Sequence, residues 1–506
     1  MIRIVDCGSQ LTQNIARRIR EMGVFSEIVP FNASEDKIFT GDLEGIVISG
    51  GQFSVYDENA PSVSREVLDA RVPIFGICYG QQTIAHQLGG RVKSAQNREY
   101  GETKVKLLGE SPLFRNIPSS ELNVWMSHGD VVEETPEGFE ITAVSGNRQI
   151  AAMQKDKIYA VQFHPEVDHT QYGRKILENF LDICEASRTW DPTKDYERIT
   201  EELMEKLNGK IGIGGISGGV DSTTASVLVG QISGKNYNPI FVDNGLLRLN
   251  EAEEVKKSLD AFGLDVRYID ASSRFLEKLK GIVNPDEKRK IIGNEFVAVF
   301  EEEARKIHEA SYLVQGTLYP DVIESVPIFG SSSKIKRHHN VGGLPERMNL
   351  ELVEPFRNLF KDEVRRIAEQ KLMLPKEIVW RHPFPGPGLA IRIIGEITGE
   401  KLSTLRQADA IFIEELRKRN LYDRIGQAFA ILPNAQSVGV MGDAGTYQST
   451  IALRAVTTDD FMTSDIYPFK WKDLRAITNR IVNEVKGIGR VVYDTSQKPP
   501  ATIEWE

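Results

Sequence analysis

The sequence predicts an α/β protein: two α/β domains, each on a parallel sheet, followed by a smaller α+β domain. Three observations carry this. Residues 1–188 alternate short apolar runs with helical patterns, as expected of strands covered by helices. The same alternation restarts after Ala186 to Tyr196, a polar stretch that contains Pro192. Finally, His382-Pro383-Phe384-Pro385-Gly386-Pro387-Gly388 can continue neither a helix nor a central strand. The expected domains are therefore 1–188, 189–381 and 382–506. About three domains is also the number that 506 residues suggest at roughly 150 residues each.

In the first domain Ile2 to Val5, Gly45 to Ile48, Pro73 to Ile77 and Ile158 to Phe163 read as strands of a largely parallel sheet. Leu11 to Met22, Val63 to Ala70 and Tyr79 to Leu88 read as helices. The second domain opens with a helix (Tyr196 to Leu207), a strand (Lys210 to Ile216), a glycine-rich turn and a helix (Ser222 to Ile232). A strand (Asn238 to Val242), a helix (Glu251 to Phe262) and a strand (Asp265 to Ile269) repeat the unit. The third domain mixes strands (Ala390 to Ile394, Ser437 to Met441, Ile451 to Val456, Arg490 to Tyr493) with helices (Thr404 to Lys418, Lys472 to Val485).

Hydrophobic residues make up 41% and charged residues 26%, ordinary values for a globular protein. A formal charge of −10 disfavours a broad nucleic-acid surface, which needs a concentrated basic face. Small anionic substrates stay compatible, because a few local Lys and Arg suffice. Cys7, Cys78 and Cys184 show no paired spacing, which suggests reduced thiols and a cytoplasmic setting. No apolar run approaches the roughly 20 residues of a membrane span. Met1 to Gln10 lacks the basic start and apolar core of a secretion signal.

Gly76-Ile77-Cys78-Tyr79-Gly80 places a cysteine between a strand and a helix, with glycine two residues to either side. That is the form of a nucleophile elbow: the glycines permit a tight turn and close approach, and the helix N-terminus favours thiolate. Taken alone, a free cysteine is commonly a small buried hydrophobe. Val161-Gln162-Phe163-His164-Pro165-Glu166 adds a histidine at a strand end and a carboxylate two residues on, hence on the same face of an extended segment. A base and its orienting acid at this spacing fit nucleophilic catalysis. Ser49-Gly50-Gly51 could present backbone N–H groups to an oxyanion, and Gln82 lies one helical turn beyond Cys78.

Far downstream, Ser217-Gly218-Gly219-Val220-Asp221-Ser222 again joins a strand to a helix. It lacks the lysine of the common phosphate loop. It does offer backbone N–H groups, two hydroxyls and a helix N-terminus converging on one anion. Asp221 would repel a bare phosphate and makes sense if Mg²⁺ bridges the two. Asp243-Asn244-Gly245 follows the next strand, where such folds place a nucleotide.

The residues from Gly76 to Gln82, with His164-Pro165-Glu166, resemble the class I (triad) glutamine amidotransferase family over residues 1 to about 185. The resemblance implies Cys78 as nucleophile, His164 as base and Glu166 as its orienter, hydrolysing glutamine through a thioester to release ammonia. Gly50 and Gly51 would form the oxyanion site, and Gln82, Ser127 and His128, the last two in Trp125-Met126-Ser127-His128-Gly129-Asp130, would hold the glutamine. Cys7 and Leu11 stand where related sequences usually carry aromatics, and Gln52 where many have proline; these departures bear on the pocket wall.

SGGVDS after a strand resembles the N-type ATP pyrophosphatase family, which implies that Ser217, Gly218, Gly219, Val220, Asp221 and Ser222 hold pyrophosphate with Mg²⁺ on Asp221. Asp243 and Lys336 would also contact ATP, Lys336 closing over the phosphates. Four further stretches (315–325, 334–343, 381–389 and 498–506) make the whole chain resemble the glutamine-hydrolysing GMP synthetase family. That resemblance implies XMP as the substrate, adenylated by ATP on O2 and aminated to GMP. Arg289, Gln427, Asp443, Lys498 and Glu504 would contact XMP, and the last domain would pair two copies of the chain as a homodimer. Two other readings stay open at this point. One is glutamine-dependent adenylation of another acceptor, as in NAD synthetases or tRNA-thiolating enzymes; the former use a different glutaminase, and the latter should show a basic or zinc-binding extension. The other is a regulatory module with a dead glutaminase, which the presence of Cys78, His164 and Asp221 disfavours.

Overall fold

The computed structural model describes residues 1–325, 350–441, 444–458, 461, 463–498 and 500–506. They form two compact units, one covering Met1–Asp191 and the other most of the described chain from Pro192 onward. Among the described residues no helix is long and apolar enough to cross a membrane.

The first unit is built on nine strands: β1 (Ile2–Asp6), β2 (Ser26–Pro30), β3 (Gly45–Ile48), β4 (Ile74–Ile77), β5 (Arg91–Leu107), β6 (Glu121–Glu134), β7 (Glu140–Ser145), β8 (Ile150–Lys155) and β9 (Ile158–Val161). Their spatial order is β2-β1-β3-β4-β9-β8-β7-β5-β6. Every pairing from β2 to β9 is parallel. Every pairing from β9 to β6 is antiparallel. The four strands β5 to β8 are therefore an addition to the largely parallel sheet expected. Their signal is weaker because one face is polar: along β6 buried and more exposed positions alternate from Glu121 to His128, so no continuous apolar run appears. The helix Thr12–Glu21 packs on β1 and β2, and Tyr79–Gln87 on β4 and β9. The helix expected over Val63 to Ala70 is a single turn, Arg65–Leu68, because Ser64 stays extended and Asp69 ends it.

The second unit opens with a parallel sheet of β10 (Ile211–Ile216), β11 (Tyr237–Asp243), β12 (Arg267–Asp270), β13 (Ala310–Val314) and β14 (Glu351–Val353). Its order β12-β11-β10-β13-β14 reverses direction beside β10. Such a switch point leaves a crevice at the C-terminal strand ends, where ligands bind in open α/β sheets. A second sheet gathers β15 (Gln427–Ile431), β16 (Gln436–Met441), β18 (Asp465–Ile466) and β19 (Ile488–Tyr493) around the long β17 (Ala444–Thr457). The helices Gly399–Lys418 and Trp471–Glu484 cover it.

One apolar cluster runs from Ile213 and Phe300 through Leu389 and Phe412 to Leu453 and Ile481. Position 382 thus lies between two sheets that share a core. Ala390 to Ile394, expected as a strand, is instead a 3₁₀ turn (Gly388–Ile391) followed by a single bridge from Ile393 to Leu432. Gly388 explains it: φ is 62°, and a Cβ there would lie 2.4 Å from the Leu246 carbonyl oxygen. The run is buried on all sides, so its apolar character does not distinguish strand from turn.

Candidate functional site

Cys78 sits between β4 and the helix Tyr79–Gln87 with φ 55° and ψ −107°, a backbone state that non-glycine residues rarely adopt. The flanking glycines make this possible. A Cβ on Gly80 would lie 2.2 Å from the Ile48 carbonyl oxygen, and one on Gly76 would lie 2.5 Å from Ile84 Cδ1. The Cys78 N–H donates to the Val161 carbonyl at 2.8 Å, which ties the elbow to the end of β9.

The chain leaving β9 delivers His164. Its N–H donates to the Trp125 carbonyl at 3.0 Å, and its carbonyl accepts from Thr170 Oγ1 at 2.6 Å. The imidazole Nδ1–H donates to Glu166 Oε1 at 2.7 Å, with both residues buried. The ring also lies close enough to the Cys78 sulphur to interact with it electrostatically. Burial opposes a charge on His164, but the Glu166 carboxylate and the Cys78 sulphur outweigh it and raise the imidazole well above 6.5. An imidazole that readily carries a proton, next to a thiol, is equipped for general acid–base chemistry.

Several of the residues expected in the pocket lie near this group. A Cβ on Gly50 would lie 3.3 Å from His164 Cε1, so the Ser49-Gly50-Gly51 turn borders the base. Gly51 packs on the Cys7 carbonyl, and Cys7 donates its N–H to Ser49 Oγ at 3.0 Å. Cys7 itself is buried, and burial, then Asp6, pushes its thiol up out of the reactive range. Ser127 meets the site through its backbone: its carbonyl accepts from Cys78 Sγ at 3.8 Å. His128 is held by its own surroundings, with Nδ1 3.1 Å from the Asp130 carbonyl and Nε2 3.4 Å from Glu99 Oε2. Glu99 also accepts from Ser145 Oγ (2.8 Å) and Asn147 Nδ2 (2.9 Å). Burial raises its carboxyl, but His128, Ser145 and Asn147 together bring it below the usual range. Gln82 Nε2 donates to the Asp130 carbonyl (2.7 Å) and to Gln162 Oε1 (3.2 Å). Gln162 was not singled out by sequence. The available signal was its place two residues before His164, just past the end of β9.

A second polar centre follows β10 at the switch point. Ser217 Oγ and Ser222 Oγ lie 3.0 Å apart, and Ser222 Oγ accepts the Ser217 N–H at 3.1 Å. Gly218 has φ 75°, and Val220 begins the 14-residue helix Val220–Ser233. Lys361, which sequence did not single out, donates to Asp221 Oδ2 at 3.0 Å. Asp221 Oδ1 is buried and has no hydrogen-bond partner among the described residues. Asp243 is already engaged: Oδ1 accepts the Gly245 N–H (2.8 Å) and Oδ2 the Tyr268 hydroxyl (2.7 Å). Among the described residues no three His, Cys, Asp or Glu side chains converge to hold a metal. One orphaned carboxylate oxygen nevertheless suits Mg²⁺, which usually takes one or two carboxylates and shares the rest with water and phosphate.

The third set meets along the chain's final residues. Glu504 pairs with Arg392 (2.8 and 3.1 Å) and accepts from Gln427 Nε2 at 2.9 Å. Arg289 donates to the Glu506 backbone carbonyl, and the buried Lys288 binds the Glu506 side chain at 2.6 Å. Lys498 donates to the Phe461 carbonyl at 2.7 Å. Lys336 and Asp443 lie outside the described residues.

Comparison with known proteins places the chain among relatives over its full length. Residues 3–184 match the model of Glutamine amidotransferase class-I, and residues 414–505 that of the GMP synthase C terminal domain. A protein of Aquifex aeolicus named GMP synthase [glutamine-hydrolyzing] is 53% identical over 100% of this chain and 99% of its own. One of the same name from Brachyspira hyodysenteriae is 52% identical over the same shares. A solved structure from Thermoplasma acidophilum, described as a putative GMP synthase subunit, is 36% identical and covers 40% of this chain and 96% of its own, with a TM-score of 0.32.

Proposed function

The chain belongs to the family of glutamine-hydrolysing GMP synthases, and from that premise we propose that its two polar centres divide glutamine-dependent GMP synthesis between them. At the first, the Cys78 thiolate attacks the side-chain amide carbon of glutamine. The charge that develops on the amide oxygen falls to N–H groups of the Gly50-Gly51 turn. His164 gives a proton to the leaving nitrogen, ammonia departs, and a thioester to Cys78 remains. Water then attacks the thioester as His164 takes its proton back, releasing glutamate and restoring the thiol. Glu166 holds Nδ1–H, so the travelling proton is the one on Nε2. Gln82, Ser127 and His128 wall the glutamine pocket.

At the second centre, Ser217, Gly218, Gly219, Val220 and Ser222 cradle the departing pyrophosphate of ATP, with Asp243 and Lys336 also in contact with the nucleotide. O2 of XMP attacks the α-phosphorus and pyrophosphate leaves. Ammonia then adds at C2 of the purine and AMP departs, giving GMP. Mg²⁺ held by Asp221 would neutralise charge on the phosphates. Arg289, Gln427, Asp443, Lys498 and Glu504 contact XMP, where Lys and Arg suit a monophosphate. We retain 1–188, 189–381 and 382–506 as functional domains, and assign the third to pairing of two copies. An exposed apolar pair, Val438 and Tyr447, facing each other across β16 and β17, supports this.

The observation that carries the division is a thiol, an imidazole and a carboxylate brought together in one unit and an anion cradle beside a buried carboxylate oxygen in the other. Cys78→Ala is expected to cut glutamine-driven GMP formation at least about a thousandfold, while ammonium-driven formation stays within about twofold. Loss of both would overturn the proposal.

A further inference from the structure

We propose that Gln162 positions the Cys78 sulphur as a hydrogen-bond acceptor, and that Gln82 acts through Gln162 by fixing which end of its amide faces the sulphur. This rests on Cys78 being the glutaminase nucleophile.

Gln162 is 1% exposed, and its Nε2 donates to Cys78 Sγ at 3.7 Å. The two ends of a carboxamide have nearly the same shape, so its orientation is set by its neighbours. Here the neighbours form a directed chain. The Asp130 carbonyl can only accept, so the Gln82 end that meets it at 2.7 Å is the NH₂. That group's second hydrogen points to Gln162, which must answer with its oxygen, at 3.2 Å. The NH₂ of Gln162 is left for the sulphur. A backbone carbonyl, which cannot flip, thus dictates a donor at the nucleophile two side chains away.

A donor favours thiolate, which only accepts, over thiol. On its other contact the sulphur meets the Ser127 carbonyl at 3.8 Å, an acceptor suited to the neutral S–H. The titratable groups that face the sulphur are His164 and, through it, Glu166. Gln162 adds a donor without adding charge, so it supports the thiolate without competing for the proton on His164.

The test is the pH profile of Cys78 alkylation by iodoacetamide in the full-length protein, followed by peptide mass spectrometry. Cys7 and Cys184 are buried and report unfolding within the same molecule. The pH of half-maximal alkylation is expected to rise by about one unit in Gln162→Met, because a hydrogen bond to a charged group is lost. The isosteric Gln162→Glu, which replaces the donor with a carboxylate, is expected to shift it further. Gln82→Met should shift it in the same direction, and Gln82→Met/Gln162→Met no further than Gln162→Met alone. An unmoved midpoint in Gln162→Met or Gln162→Glu, with Cys7 and Cys184 still protected, overturns the proposal. Additive shifts overturn the part assigned to Gln82. If alkylation of wild-type Cys78 leaves glutamine hydrolysis intact, the nucleophile assignment fails instead; lost hydrolysis with an unmoved midpoint refutes Gln162 alone.

Discussion

The Cys78 centre and the Ser217–Ser222 cradle differ in how their central groups are partnered. Around Cys78 the chain partners both the imidazole and the sulphur: His164 has Glu166 Oε1, and the sulphur has Gln162 and the Ser127 carbonyl, while Glu166 Oε2 is buried without a partner among the described residues. At the cradle the two hydroxyls hold only each other and nearby backbone, and Asp221 Oδ1 is buried without a partner among the described residues. On the proposed function, the nucleophile belongs to the protein and is partnered within the fold, whereas a phosphate with its cation would arrive from outside and meet polar atoms left unmatched.

If that contrast is right, removing the unmatched atom should cost most. Asp221→Asn is expected to slow GMP formation about a thousandfold with either nitrogen source, measured with saturating XMP. An equal rate would erase the distinction between the two centres.

Two buried histidines repeat the contrast in opposite senses. His382 is held neutral: burial lowers it to about 4, Nδ1 accepts the Ala428 N–H at 3.2 Å, and Nε2–H donates to the Tyr422 carbonyl at 3.0 Å. Its contribution to stability is complete above 6.5 and is lost as pH falls from 6.5 toward 4, by at most about 3 kcal/mol. Denaturant unfolding over that range should weaken, and His382→Gln should flatten the slope. His164 is raised, so its contribution is complete below 6.5 and lost as pH rises through its folded value. The melting-temperature gap between wild type and Glu166→Gln is therefore expected to be widest below pH 6.5 and to close in alkali. The same substitution should lower glutaminase turnover about tenfold to a hundredfold, less than in serine triads, because cysteine enzymes also work with an amide in that place.

The smallest effect sharpens the cradle. Lys361 and Asp221 are both partly exposed, so their pair adds little to stability, about 0–1 kcal/mol. Lys361→Met should leave unfolding unchanged yet raise the KM for ATP about tenfold, if the lysine turns to the phosphates when ATP binds.

What sequence revealed follows the same physics. Strands buried on both faces, such as β1, β3 and β4, stand out as apolar runs, and the glycines beside Cys78 and in SGGVDS mark the turns. The polar-faced ribbon of β5 and β6 left no run to find, and the Ala390 to Ile394 run concealed a turn set by Gly388. The flanking glycines of Cys78 and the two-residue spacing of His164 and Glu166 were legible in the sequence, and the structure brings the three residues together. Lys361, Glu99 and the orientation of Gln162 depend on neighbours 140, 29 and 80 residues away, and no local pattern encodes them.

Cys78 is joined to Val161 by a rung of the sheet, although more than 80 residues separate them along the chain. The elbow that carries Cys78 is thereby held against the strand that leads into His164, across an interstrand spacing of about 4.8 Å. Everything from β5 to β8 is a detour that departs from one side of this seam and returns to the other. β6, inside that detour, supplies the Trp125, Ser127 and Asp130 carbonyls, so the ribbon cannot be rebuilt without touching the surroundings of the sulphur and the imidazole.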